Sequence, residues 1–314
     1  MKVTDDLKYM TCSRLPILMG VGHPNAPSKN ELLQEFIDKK NGSWVEPEQL
    51  NYSKYTDYFE EVLQKIAKKD FPNLKFKKGA KEKPYTAVHT PLGASIDDWA
   101  IAEKKIVITD PLGQAHELQG DIVFEYKVTS IHEPTLPLYK GPVQVQGQMM
   151  CTNIGRSVVM VFNIKTWEIQ YWPIFPHKET QDLISNAVRE FWSRREKEIF
   201  YDPEKSSDFS LVYPEAKDDT KDLSGNNQIG DAINTWHEGN LEIKSGKKKI
   251  ESSQDIIKGA MGEAAFAKYN NFKISWPTRN YKAKPEKIVP AQEAYSKRSN
   301  TIQIKEDNEK EKSN

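Results

Sequence analysis

The sequence predicts a mixed α/β protein, a central sheet flanked by helices and extended at its C-terminal end by a helix and a hairpin. Two patterns and one boundary carry that expectation. Apolar stretches of strand length stand at residues 106–108, 122–126, 157–163 and 167–172. Apolar residues at helical spacing run through 28–39, 51–70 and 178–199. Near residue 203 the composition turns to charged and small residues, which marks the end of the core. The expected divisions are a core over 1–202, a linker or flexible loop over 203–228, a C-terminal extension of the core over 229–305 and a disordered tail over 306–314.

Taken in order, residues 7–20 contain S-R-L-P, which reads as an N-capped short helix or a turn. Residues 28–39 place Leu32, Leu33, Phe36 and Ile37 on one helical face, and Gly42 ends that helix. Residues 51–70 predict a helix with Tyr55, Tyr58, Phe59, Val62, Leu63 and Ile66 as its apolar stripe and with Glu60 and Glu61 beside it. The lysine-rich run 75–83 reads as a loop between helix and sheet. Two strands over 106–108 and 122–126 are joined by the turn-rich D-P-L-G-Q. Residues 143–150 (V-Q-V-Q-G-Q-M-M) alternate like a strand, yet Gln144, Gln148 and Met149 also suit one face of a helix. The helix over 178–199 turns Leu183, Ile184, Ala187, Val188, Phe191 and Trp192 inward. Beyond the linker a helical region over 230–262 is interrupted at K-S-G-K-K-K, and strands are expected at 272–276 and 301–304. No internal repeat is apparent in this reading.

Lysine and arginine number 45 against 45 acidic residues, so no global basic field points to nucleic acid. DNA binding would need a local patch, for which 75–83 and 279–287 are the candidates. Cys12 and Cys151 form neither a disulfide framework nor a zinc-ligand set, and read as buried free thiols in a reducing interior. The polar N-terminus and the lack of a long apolar run give the expectation of a soluble, cytoplasmic protein without membrane contact.

Chemistry concentrates between residues 94 and 150. The run A-S-I-D-D ends in Asp97 and Asp98, and D-I-V-F-E-Y-K-V carries Glu125 and Lys127 one residue apart. Period-two alternation puts Glu125 and Lys127 on one strand face. A carboxylate beside an ammonium, with another carboxylate upstream, suits metal-assisted phosphodiester hydrolysis. The acids hold a hard divalent cation, and the lysine orients the attacking water or steadies phosphate charge.

This ordered set of A-S-x-D, an apolar strand ending in E-x-K, and Q-V-Q-x-x-M resembles the restriction-endonuclease-like PD-(D/E)xK nucleases. More narrowly it resembles the phage lambda exonuclease and YqaJ-type viral recombinase family. The resemblance covers residues 8–200 and, more loosely, the C-terminal fifth. It implies a restriction-endonuclease-like core and a metal-dependent exonuclease that degrades linear duplex DNA from the 5′ end. Asp97, Glu125, Lys127 and Gln144 would be catalytic, and Glu60, Asp97, Glu125 and the Tyr126 carbonyl would hold Mg²⁺, with Mn²⁺ as a substitute. Asp98 stands as the alternative to Asp97, and Glu61 to Glu60. Ser13, Arg14 and Lys8 would hold the 5′-phosphate of the DNA end, with Gln146 a further DNA contact. The implied partners are double-stranded DNA ends, a single-strand annealing protein and further copies of the chain in a ring trimer. A PD-(D/E)xK endonuclease and a non-catalytic DNA-binding module remain as alternatives.

Overall fold

The structure, a computed structural model, describes residues 8–46, 55–79 and 84–278. The basic segment 279–287, the strand expected at 301–304 and the tail lie outside the described residues, as do 80–83 of the lysine-rich run. The chain divides into two compact units after Pro214.

The first unit opens with β1 (Met10–Thr11), a single 3-10 turn over Cys12–Arg14 and the short α1 (Leu15–Leu18). Helix α2 (Lys29–Asn41) begins where expected. The Ser28 hydroxyl accepts from the Glu31 amide at 3.0 Å, while the Glu31 carboxylate accepts from the Ser28 amide at 2.7 Å. Gly42, at φ 74°, closes the helix in the left-handed conformation that glycine adopts without strain. Helix α3 (Thr56–Asp70) departs from the expected stripe. It buries Leu63 and Ala67, with Ile66 packed alongside, but leaves Tyr55, Tyr58, Phe59 and Val62 exposed, because the covered stretch begins only at the second turn.

Next come β2 (Lys75–Lys78), β3 (Tyr85–Thr86), β4 (Leu92–Ala94), β5 (Asp98–Thr109) and β6 (Ala115–Thr129). The described part of the lysine-rich run is thus an edge strand where a loop was expected, paired antiparallel to β5. Strands β5 and β6 are longer than the apolar pattern indicated, because their outer halves are exposed and carry charges. Their turn is tied by Asp110, whose Oδ1 accepts from the amides of Leu112 and Gln114 at 2.9 Å each. Helix α4 (Pro142–Thr152) resolves the ambiguity of the glutamine-rich stretch in favour of helix. It is followed by β7 (Ser157–Asn163), β8 (Glu168–Ile174), α5 (Lys178–Lys197) and α6 (Ser206–Val212).

The main sheet has the order β2-β5-β6-β7-β8, antiparallel throughout except for the parallel pair β6 and β7. A parallel pair needs a crossover, and the segment containing α4 provides it. Strand β7 is buried along its whole length, as a central strand covered on both faces must be. Alternation sorts its side chains. Val158, Met160 and Phe162 join Leu63 and Ala67 of α3 in one cluster, while Val159 and Val161 join Val145 of α4 in another. A third cluster, around Leu15, Leu33, Phe36, Leu92, Ile184, Val188 and Phe191, packs α1, α2 and α5 together. Helix α4 approaches the N-terminal segment so closely that a Cβ on Gly147 would lie 2.4 Å from Leu15 Cδ1 and 2.9 Å from Cys12 Sγ.

The stretch expected as linker is in part structured, since α6 packs on α2. The Ser28 hydroxyl donates to Asp208 Oδ1, and the amides of Glu204 and Lys205 donate to Asp208 Oδ2 at 2.8 and 3.0 Å. In the second unit, α7 (Asn227–Met261) runs unbroken through the expected interruption, and β9 (Phe266–Tyr269) pairs antiparallel with β10 (Phe272–Ser275). The strand expected at 272–276 is therefore present, with β9 as its hairpin partner. Among the described residues no helix is long and apolar enough to cross a membrane.

Burial works to raise the Asp208 pKa, but its hydrogen bonds from Ser28 and the two amides outweigh that and hold it below the usual carboxylate range. A depressed folded pKa gives stability that is present above the unfolded value of about 3.9 and is lost as pH falls through the folded one. Asp208→Ala is therefore expected to destabilise by about 1–3 kcal/mol near neutral pH, by unpairing buried donors. The gap from wild type should narrow in thermal unfolding followed below about pH 4.

Candidate active site

On β6, alternation sends Phe124 and Tyr126 toward the α3 side of the sheet and Glu125 and Lys127 toward α4. Glu125 is only 3% exposed, and a carboxylate that deep needs donors. It has three. Lys127 Nζ lies 2.6 Å and Gln144 Nε2 2.7 Å from its Oε1, while Gln148 Nε2 lies 2.6 Å from its Oε2. Lys127 Nζ also donates to Gln144 Oε1 at 2.9 Å, so lysine, glutamate and glutamine close a ring of hydrogen bonds.

Helical geometry explains which glutamines take part. Gln144 and Gln148 stand four residues apart and so share the face of α4 that looks at β6. Gln146 lies on another side. Its Nε2 donates to the Phe175 carbonyl at 2.8 Å, and its Oε1 accepts from the His177 amide at 3.0 Å and from Gln181 at 3.2 Å. This buried side chain, expected to contact DNA, fastens α4 to the segment between β8 and α5. Gln148 was not among the expected site residues, although its four-residue spacing from Gln144 was the signal for it. Its Nε2 also donates to the Ser95 carbonyl at 3.2 Å, tying the segment before Asp97 to Glu125. With two acceptors fixing the amide nitrogen, Gln148 Oε1 is left buried beside the carboxylate without a hydrogen-bond partner.

The two neighbouring aspartates divide. Asp98 is fully buried; its Oδ1 accepts from Gln64 of α3 at 2.5 Å and its Oδ2 from the Tyr126 hydroxyl at 2.5 Å. Burial and this bond to Asp98 raise the Tyr126 pKa far above that of a free phenol, so the hydroxyl stays a donor. Asp97 accepts the Tyr126 amide on Oδ2 at 2.9 Å, just where β5 has ended its pairing with β6 at Asp98 and Phe124. A strand residue directs its N–H and C=O to the same edge, so the Tyr126 carbonyl leaves on the edge that Asp97 caps. The structure thus brings together Asp97, Glu125, Tyr126, Lys127 and Gln144, and adds Gln148.

Glu60 is half-buried on α3, one helical turn before Gln64, whereas Glu61 is exposed. Among the described residues no three histidine, cysteine, aspartate or glutamate side chains form a metal-holding group. Oxygen donors on Asp97, Glu125 and the Tyr126 backbone, with the orphaned Gln148 oxygen nearby, fit a hard cation such as Mg²⁺, which takes one or two carboxylates and keeps several waters. Ser13 is exposed in the 3-10 turn, its hydroxyl 3.1 Å from that of Thr11, and Lys8 is exposed. Arg14 is engaged by Glu35 at 2.5 Å and lies 5.0 Å over the Phe36 ring. Cys12 and Cys151 are buried free thiols, as expected, with sulfurs 4.0 Å apart. Burial, with Cys151 next to it, raises the Cys12 pKa well above the usual thiol range.

The two aspartates should separate in thermal unfolding. Asp98→Ala leaves the buried Tyr126 hydroxyl and Gln64 amide unpaired and is expected to cost about 2–4 kcal/mol. Asp97→Ala takes the acceptor from one backbone amide at a strand end, leaves no buried hydroxyl unpaired, and is expected to cost less than Asp98→Ala.

No protein-family model matches this chain, and no curated protein does. Among solved structures it is similar to an alkaline exonuclease, LHK-Exo, from Laribacter hongkongensis, at 14% identity and a TM-score of 0.43, over 62% of this chain and 90% of that one. The same exonuclease in complex with dAMP aligns at 16% identity and a TM-score of 0.42, with the same coverage. A phage-related exonuclease from Haemophilus somnus aligns at 13% identity and a TM-score of 0.39, over 60% of this chain and 96% of that one.

Proposed function

We propose that this chain is a metal-dependent deoxyribonuclease that hydrolyses phosphodiester bonds of linear duplex DNA from the 5′ end. The observation that carries this reading is the Glu125, Lys127 and Gln144 ring beside Asp97, an acid-and-ammonium face with hard oxygen donors. Asp97, Glu125 and the Tyr126 carbonyl are the proposed Mg²⁺ donors, with Glu60 as a further one. A bound Mg²⁺ would supply Lewis acidity toward the phosphate and lower the pKa of a coordinated water.

The chain's own residues have separate tasks. Lys127 offers a cation whose position is fixed by Glu125 and Gln144, so it meets developing phosphate charge without reorganising. Gln144 presents its carbonyl to Lys127 and its amide to Glu125 Oε1, which fixes the lysine and the carboxylate relative to each other. Ser13 and Lys8 are proposed to face the 5′-phosphate of a DNA end, with Arg14 supporting that segment through Glu35. A role in strand-annealing recombination, with an annealing protein as partner and a ring trimer as the working form, belongs to the same proposal, as does Mn²⁺ in place of Mg²⁺.

The test uses linear duplex with a 5′-phosphate and closed circular duplex, each with Mg²⁺ and with chelator. Loss of linear DNA alone, dependent on Mg²⁺, is expected. Asp97→Ala and Lys127→Ala should each lower the rate by on the order of 10²-fold or more. Cutting of circles would move the reading to an endonuclease. DNA binding by wild type with no cleavage of either substrate would replace it with a binding module. Calorimetric titration of Mg²⁺ into wild type and Asp97→Ala gives a readout apart from activity, and equal binding by both would remove Asp97 from the donor set.

A further inference from the structure

Helix α7 carries a seven-residue period that no other part of the chain shows in its described residues. Ile229, Trp236, Ile243, Ile250 and Ile257 recur at every seventh position, and Ile233, Asn240, Lys247, Gln254 and Met261 follow each by four. This alternating four-and-three spacing is the seam of a coiled coil. The seam is bare. Ile243 is 58% and Ile250 60% exposed, and Met261 is the only buried hydrophobic residue of the second unit among the described residues. The helix also contains Gly230, Gly239, Gly246 and Gly259, each disfavoured by about 1 kcal/mol relative to alanine within a helix. A sequence so poor in intrinsic helix propensity depends on burying its apolar face.

We infer that α7 pairs, antiparallel, with α7 of a second copy of this chain. The seam chooses both partner and direction. A parallel pair would set Lys247 against its own copy in one layer and isoleucine against isoleucine in the alternate layers, a composition that disfavours two parallel strands. An antiparallel pair with its twofold axis between Lys248 and Lys249 takes Lys247 out of the layer of its own copy, setting the two about 4.5 Å apart along the axis, and ends the isoleucine-on-isoleucine layers. Asn240 then faces Ile257 of the second copy, Lys247 faces Ile250 and Gln254 faces Ile243, while Met261, already buried, ends the seam. Each polar seam residue meets an isoleucine, and the Lys247 stem lies along the seam while its ammonium reaches water.

The flanks agree with that register. On one side Lys244 meets Glu251 of the second copy, and by symmetry the pair occurs twice; His237 with Lys258, the remaining pair there, adds no attraction. The other side aligns Gly239 with Ala260 and Gly246 with Ser253, small residues that let the backbones come close. Ala232, Gly239, Gly246, Ser253 and Ala260 form an unbroken column of small side chains at the same seven-residue period. Because both copies use the same surface, each such contact joins two chains and no more, so it would link ring trimers in twos. The inference is independent of the proposed nuclease activity.

The experiment is sedimentation of the full chain over a range of concentrations, with one chain being 36.1 kDa. Ile250→Asp should dissociate the contact and halve the assembly. Lys244→Glu and Glu251→Lys should each weaken self-association by roughly tenfold, since each turns two attractive pairs into repulsive ones. The double variant Lys244→Glu with Glu251→Lys should restore it, an outcome that loss of folding cannot imitate. Direction is read from nitroxides on Glu238→Cys, expected about 30 Å apart along the axis in the antiparallel pair. A wild-type mass that Ile250→Asp leaves unchanged overturns the proposal. So does a double variant no better than the single ones, or a nitroxide separation of about 20–25 Å, that of a parallel pair with this outward-facing position level in both copies.

Discussion

The structure of the first unit turns on one buried anion. Glu125 sits on a central strand, almost out of reach of water, and an uncompensated carboxylate in such a place would cost several kcal/mol. Its three donors come from two elements, Lys127 from its own strand and Gln144 and Gln148 from α4. For both glutamines to arrive, α4 must present one face squarely and lie close to the sheet. Val145 packing on Val159 and Val161, and a glycine at position 147 where Leu15 and Cys12 press in, meet that requirement. The requirements of the anion thus account for the composition of a helix whose glutamines would otherwise be out of place in a core.

How far the site was legible follows from the same geometry. Strand alternation was enough to put Glu125 and Lys127 on one face, since period two is fixed by the backbone. Asp97 and Asp98 were left open, because adjacent acids look alike until the end of β5 decides which of them turns to Tyr126 Oη and Gln64 and which to the Tyr126 amide. The glutamine run was ambiguous for a related reason. Gln144, Gln146 and Gln148 fit a strand by alternation, and only the helical pitch separates the first and last from the middle one. Gln64 gave no signal in the sequence, as its part depends on α3 crossing the sheet at one particular point.

The larger elements were legible where one face is apolar and the other polar, as in α2, α5 and β7. They were less so where tertiary context overrides the pattern. The outer halves of β5 and β6 are strand because they pair with each other, not because their residues are apolar. The exposed aromatic residues on the first turns of α3 looked like core, since a stripe of apolar side chains does not say how far the sheet beneath it extends. In the second unit the lysines and glycine at 244–249 suggested a break, whereas the seven-residue period of the whole helix carries it through.

The parallel pairing of β6 with β7 has a consequence for the order in which the first unit assembles. The hairpin of β5 and β6 is local in sequence and can form by itself, whereas β7 reaches β6 only after the chain has passed through α4 and back. The donors of Glu125 travel with that crossover. A partly formed state that has the hairpin alone therefore lacks this arrangement, and a chain still emerging from synthesis carries Glu125 and Lys127 before the glutamines that hold them are in place. Local opening of α4 would disarm the site in the same way while leaving most of the sheet intact.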